Sequence, residues 1–268
     1  MAELVVVAGV AAVGAAYATA VRRAWRSAGR DRIVRVRQVR IFAAAETVLA
    51  VALLPPIATS AHESLSAHMV QHVLLAVVVA PLLVLGASLP TLLWSLPAGW
   101  REWLLVRWRR ALRSHGRRWA IWVVGALLFQ SLVMAIWHLP VLYGAAVHHE
   151  VLHVLEHTSY LVTATVFWWA VGVGSTRRHG AAVPVLFVAA LPGTVLGAAL
   201  TLSSRTWYVE YPSIADQQLA GVVMWGFAGL AYVVAAACLF GLWLAGLEGD
   251  TPGRPPEPAP VVTGKGAR

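Results

Sequence analysis

The chain has 268 residues, of which 59% are apolar and 12% charged, against about 25% charged in soluble domains. That balance excludes an ordinary soluble domain and implies an integral membrane protein built of helices, because lipid offers no partner for an open backbone group. The net charge of +9 records where the basic residues stand in the chain; a lipid bilayer is the expected partner, and no nucleic acid.

A bilayer core about 30 Å thick takes roughly 20 apolar residues per helix, and seven such runs occur, at about 4–21, 41–58, 67–86, 119–137, 150–172, 182–203 and 217–245. They predict an all-α polytopic bundle over 1–247 and a Pro-, Gly- and charge-rich disordered tail over 248–268. The first run, "ELVVVAGVAAVGAAYATA", ends in a sequence like a cleavage site, but it lacks a basic leader and its arginines follow it, the pattern of a retained anchor. Eight arginines lie in 22–40, seven in 101–118, two at Arg177 and Arg178, and three basic residues beyond 246. In a seven-span order all four segments share one side, with Arg205 alone on the other, so the positive-inside rule puts the N-terminus outside and the C-terminus in the cytoplasm.

Within that order, Glu46 falls near the cytoplasmic end of the second span, where it is expected to snorkel or to pair with an arginine. Pro81, Pro184 and Pro192 interrupt spans whose freed carbonyls neighbouring helices can satisfy. The segment 97–118 mixes tryptophan and leucine with arginine, as in a basic amphipathic helix lying on the membrane surface. The single cysteine, Cys238, excludes an intrachain disulfide and a C-x-x-C site and reads as a small apolar contact residue.

The histidines carry the chemistry. Of ten, only His115 and His179 fall on the cytoplasmic side. His62, His68, His72, His138, His148, His149, His153 and His157 fall on the other. His68 and His72 share one helix face, and His72 lies roughly 9 Å into the span counted from Ser66. His149, His153 and His157 form a second ladder, and His138 closes the fourth span with Met134 one turn deeper. Ionisable groups inside spans are rare and mark function. Imidazoles suit copper, zinc and iron, and thioethers favour Cu(I). His68, His72, His138, His153 and His157 with Met134 and Met224 are therefore the candidate metal ligands, although apolar contact is the ordinary role of a methionine. Glu150, Glu156, Asp216 and Gln217 are the candidate outer partners that orient the imidazoles, Asp216 having a second reading as a helix cap. His62 and His148, each alone, read as interfacial hydrogen-bonding residues.

Two other chemistries use the same histidines. "EVLH", from Glu150 to His153, has the E-x-x-H spacing of di-iron bundles, although such bundles draw more carboxylates from several helices than this chain offers. Histidines on facing spans can also hold haem.

Three motifs carry a family likeness: "SAHMVQHVLLAVVVAPLLVLGAS", "WHLPVLYGAAVHHEVLHVLEHTSYLVTATVFWW" and "DQQLAGVVMW". In this order and on these spans they resemble the multi-spanning CtaG family of cytochrome c oxidase assembly factors. The likeness covers roughly 40–245 and leaves out the first span and the arginine-rich loop. It implies a bacterial plasma-membrane protein, not an enzyme, that helps to mature a haem–copper oxidase by delivering copper to an oxidase subunit. Carried over by position, His68 and His72 come from the first motif, His138, His153 and His157 from the second, and Asp216, Gln217 and Met224 from the third. The sequence departs from the pattern in "FWWAVGVG", which lacks a proline after the tryptophans; this bears on the fifth helix and not on ligands.

Overall fold

The computed structural model describes residues 2–86, 88–172 and 176–249. The tail expected beyond Gly249 lies outside the described residues, as do the side chains of His115, Arg177 and Arg178. Thirteen α-helices and no strand occur among the described residues. In chain order they are α1 (Ala2–Ala28), α2 (Val36–Leu53), α3 (Ile57–Glu63), α4 (Leu65–Val73), α5 (Ala80–Leu85), α6 (Ser88–Leu92), α7 (Ala98–Arg117), α8 (Trp119–Trp137), α9 (Pro140–His148), α10 (Glu150–Gly172), α11 (Thr176–Leu202), α12 (Ile214–Val222) and α13 (Ala228–Gly249).

Among the described residues, six helical stretches are long and apolar enough to cross a membrane: Val6–Ala28, Val36–Glu63, Leu65–Leu85, Trp119–Trp137, His179–Leu202 and Ile214–Leu247. The remaining expected run, 150–172, forms α10, long enough at 23 residues, whose imidazoles and carboxylates lower its mean hydropathy. α10 packs against α8, α5 and the turn between α4 and α5, which in turn lie against α2, while α11 pairs with α13 and α12 with α4. Phe167, Trp168, Leu186 and Tyr232 fill the largest apolar cluster. The last helix runs through Gly249, two residues past the expected boundary. Segment 97–118 is helical as α7, and Arg107 and Arg101 lie over the rings of Trp103 and Trp94.

The prolines act through the carbonyls they free. Pro55 and Pro56 end α2, and because Pro56 has no N–H, the Ala52 carbonyl loses its helical donor. Gln71 on α4 supplies one instead, Nε2 to O at 2.8 Å. Pro81 follows a π-helical turn, Leu74–Val79, the kind of widened turn that accommodates an interruption in a helix. There the indole of Trp168 donates to the Ala76 carbonyl at 2.8 Å. A second π turn, Val223–Phe227, joins α12 to α13, next to the crossing of α11 and α12 at Gly197 and Gly221. A Cβ on Gly221 would collide with Thr201 and the Gly197 carbonyl, so only the small residue permits this approach.

Two side chains stand apart from the arginines and the core. Among the described residues Glu46 pairs with no arginine; it lies against α1, where a Cβ on Gly14 would stand 3.3 Å from its Oε2, and its Oε1 has no hydrogen-bond partner. Cys238 is exposed on α13 and does not pack inside the bundle.

Candidate metal centre

Two helices, α4 and α10, and the C-terminal end of α8 bring the imidazoles together. The N-terminus of α4 is fixed from outside its own sequence. Asp216, in the first turn of α12, accepts from the Ser64 hydroxyl at 2.8 Å, the Leu65 amide at 2.6 Å, the Ser66 hydroxyl at 2.6 Å and the Ser66 amide at 3.3 Å. One carboxylate thus satisfies amides that the first turn of α4 leaves without helical partners. It sets the depth of His68 and His72, both buried on the face toward α10.

From α10 come Glu156 and His157, buried, and His153 one turn earlier. His138 caps the C-terminal end of α8 and is buried. Ring centroids stand 4.5 Å apart for His68 and His72, 5.3 Å for His68 and His153, 5.5 Å for His68 and His157, and 4.4 Å for His153 and His157. His72 is 5.1 Å from His157 and 6.1 Å from His138. The five expected histidines therefore form one continuous cluster. Two donor sets have ligand atoms all within 4.8 Å of one another: His68 with His153 and His157, and His68 with His72 and Glu156.

Backbone carbonyls settle which nitrogens face the centre. Nδ1 of His157 lies 3.1 Å from the His153 carbonyl, and Nδ1 of His138 lies 2.9 Å from the Met134 carbonyl. A carbonyl only accepts, so each of these neutral rings carries its proton on Nδ1 and a lone pair on Nε2. Those Nε2 atoms, together with Nε2 of His153 and both oxygens of Glu156, are buried without a hydrogen-bond partner. Buried acceptors left unpaired cost free energy, and a cation held by either donor set would satisfy some of them: His153 and His157 Nε2 in the first, Glu156 in the second. The donor set fits a metal ion.

Glu156 was expected to orient an imidazole from behind. It stands among the rings instead, fully buried, with Oε1 3.5 Å from His72 Nε2 and Oε2 3.8 Å from His68 Nε2, where it can itself be a donor. Tyrosines, which the sequence reading missed, share the orienting with the backbone carbonyls. The Tyr143 hydroxyl lies 2.9 Å from His68 Nδ1, and the Tyr160 hydroxyl 2.9 Å from His138 Nδ1. Tyr208 donates to the His138 carbonyl at 3.1 Å and Tyr211 to the Ala61 carbonyl at 2.8 Å; burial pushes the Tyr211 phenol up to about 12, so it stays a donor. The signal for Tyr160 was present: it follows Glu156 by four positions and His157 by three, on the same helix face.

The remaining expected residues separate. Met134 and Met224 line a cavity of about 70 Å³ with His72, His138 and Tyr160, next to the cluster. Asp216 touches no imidazole and serves as the cap just described. Gln217 is buried but accepts from the Trp207 amide at 2.7 Å and donates to the Arg205 carbonyl at 3.0 Å, holding the 203–213 loop. Glu150 is exposed at the start of α10, which removes the E-x-x-H pair from the centre. His149 precedes α10 in extended conformation, so the ladder has two rungs and not three. His148 is exposed and pairs with Glu210 at 3.7 Å. His62, read as interfacial, is exposed but reaches the cluster's edge, 5.8 Å from His153.

No curated protein and no solved structure matches the chain at significance. A family model, that of the cytochrome c oxidase caa3 assembly factor, matches residues 15–245, so the likeness extends into the first span and across the arginine-rich turn, beyond the three motifs. With that match over most of its length, this multi-pass membrane chain belongs to the Caa3_CtaG family of cytochrome c oxidase assembly factors.

Proposed function

We propose that the protein carries copper as Cu(I) in its histidine cluster, on the outer side of the bacterial plasma membrane, and delivers it to a cytochrome c oxidase subunit without catalysing a reaction. The observation that carries this reading is that Nε2 of His153 and His157 and both oxygens of Glu156 are buried without hydrogen-bond donors and that these residues fall in two groups of possible ligands joined by His68. Neutral imidazoles bind Cu(I) and exchange it more readily than a closed thiolate cage, and the neighbouring thioethers of Met134 and Met224 favour the reduced ion.

The orientation is supported by α2, which starts among the arginines and ends beside the cluster, where Gln71 holds Ala52. The cluster is then at the end opposite the basic segments, which the positive-inside rule assigns to the cytoplasm. A donor within the bilayer can meet an acceptor site buried among helices by lateral contact. The close ring contacts leave no slab for a porphyrin between the imidazoles, and Glu156 is the one carboxylate among them for a di-iron arrangement, among the described residues.

The test is metal analysis of the protein purified in detergent from copper-supplemented cells, beside a His72→Ala/His153→Ala variant, with an optical spectrum of each. Near-stoichiometric copper, lost in the variant and without a Soret band, is the expected result. Iron in its place would overturn the reading in favour of an oxidoreductase or a cytochrome. No metal in either protein would leave an assembly role exerted through protein contacts alone.

A further inference from the structure

Two cavities meet the histidine cluster at different imidazoles. One is lined by His62, Gln71, His153 and His157; the other by His72, His138, Met134 and Met224. They share no lining residue, yet imidazoles of the one cluster line both. The two donor sets follow the same division. His153 and His157 belong to the first cavity and form one set with His68, whereas His72 belongs to the second and forms the other set with His68 and Glu156. His68 lines neither cavity and is the member common to both sets.

His68 has one nitrogen to give. Its Nδ1 is engaged by the Tyr143 hydroxyl at 2.9 Å, which leaves Nε2, placed 3.1 Å from His72 Nε2 and 3.8 Å from Glu156 Oε2. One lone pair bonds one ion at a time. The two sets therefore cannot both be complete.

From this we infer that the cluster is a two-position relay for a single ion, which passes from the His62 cavity to the methionine-lined cavity while His68 Nε2 remains bonded. In the first position the ion is held by His68, His153 and His157. In the second it is held by His68, His72 and Glu156, with Met134, His138 and Met224 beyond. As the bonds to His153 and His157 break, bonds to His72 and Glu156 form; the ion keeps its charge and no electron or proton is transferred. This rests on the copper reading above and adds to it the number of ions, the order of the ligands and the pivot.

The test is titration of the metal-free full-length protein in detergent with Cu(I), in competition with a chromophoric Cu(I) chelator, followed by X-ray absorption of the loaded forms. Wild type is expected to take one equivalent. A His153→Ala/His157→Ala variant and a His72→Ala/Glu156→Gln variant are each expected to retain one equivalent at reduced affinity, the first with two imidazoles at copper and the second with three, as counted from imidazole multiple scattering. His68→Ala should weaken binding by about 100-fold or more, at least the upper end of what losing an outer-shell partner costs. Its fold is checked by circular dichroism and gel filtration, and His68→Gln replaces it if it does not fold.

Two equivalents in wild type, or unchanged affinity in the His68 variant, would overturn the relay and leave the copper carrier standing. No Cu(I) bound by wild type would overturn both.

Discussion

A carboxylate caps a helix from outside at each end of the bundle, and the two caps show how differently the ends are built. At the basic end Asp31 accepts from the Val36 amide at 2.7 Å. It is exposed, five residues away in the chain, and in the left-handed region (φ 69°) that aspartate tolerates better than most residues. At the other end Asp216 takes four hydrogen bonds from 64–66, about 150 residues away in sequence. The first cap is local and open to water, which can replace it. The second joins two spans and positions His68 and His72. The same chemistry is thus a turn device in one place and the foundation of a binding centre in the other, because of what surrounds it. The arginines follow the same logic: in water or among headgroups they need no fixed partner, whereas polar groups among the spans must find one in the protein.

The largest expected effect breaks the comparison at its stronger side. Asp216→Ala should destabilise the protein by about 2 kcal/mol, the upper range for loss of a helix cap, as read by thermal unfolding in detergent. It should also lower Cu(I) affinity, since α4 carries two of the imidazoles. Next, Tyr143→Phe removes the hydroxyl from His68 Nδ1. Cu(I) affinity should fall by about 10-fold or more in the chelator titration, with the far-ultraviolet spectrum unchanged. Trp168→Phe leaves the Ala76 carbonyl at the π turn without its donor and should cost about 1 kcal/mol, seen as a lowered unfolding midpoint. The smallest effects belong to the basic end. Asp31→Asn, which keeps an acceptor and tolerates the same backbone angles, and Arg101→Gln should each change stability by no more than about 0.5 kcal/mol. If Asp31→Asn cost as much as Asp216→Ala, the contrast between the two ends would be wrong.

The helical membrane class, the apolar runs and the two histidine ladders were legible because each depends on composition or on spacing along one helix. His68 and His72 lie four apart, as do His153 and His157, and helical geometry alone puts each pair on one face. The roles of the carboxylates were not legible. Glu150, Glu156 and Asp216 look alike in sequence, all near the outer ends of spans, yet one is exposed, one stands among the imidazoles and one caps a distant helix. His149 dropped out of its ladder because α10 starts at Glu150, and a helix boundary depends on capping contacts that spacing does not reveal.

The sequence by itself determined that the chain is a helical membrane protein, that its basic residues gather on one side in a seven-span order and that the opposite ends of two spans carry imidazoles. Hydropathy and helical period act residue by residue, so they can be read along a line. Only the tertiary structure decided that the two ladders meet, that tyrosines rather than carboxylates hold His68 and His138, and that His68 is common to two donor sets. Those outcomes depend on the depth and rotation of one helix against another, which are fixed by contacts such as Asp216 with 64–66 and Gly221 with Gly197, between residues far apart in the chain.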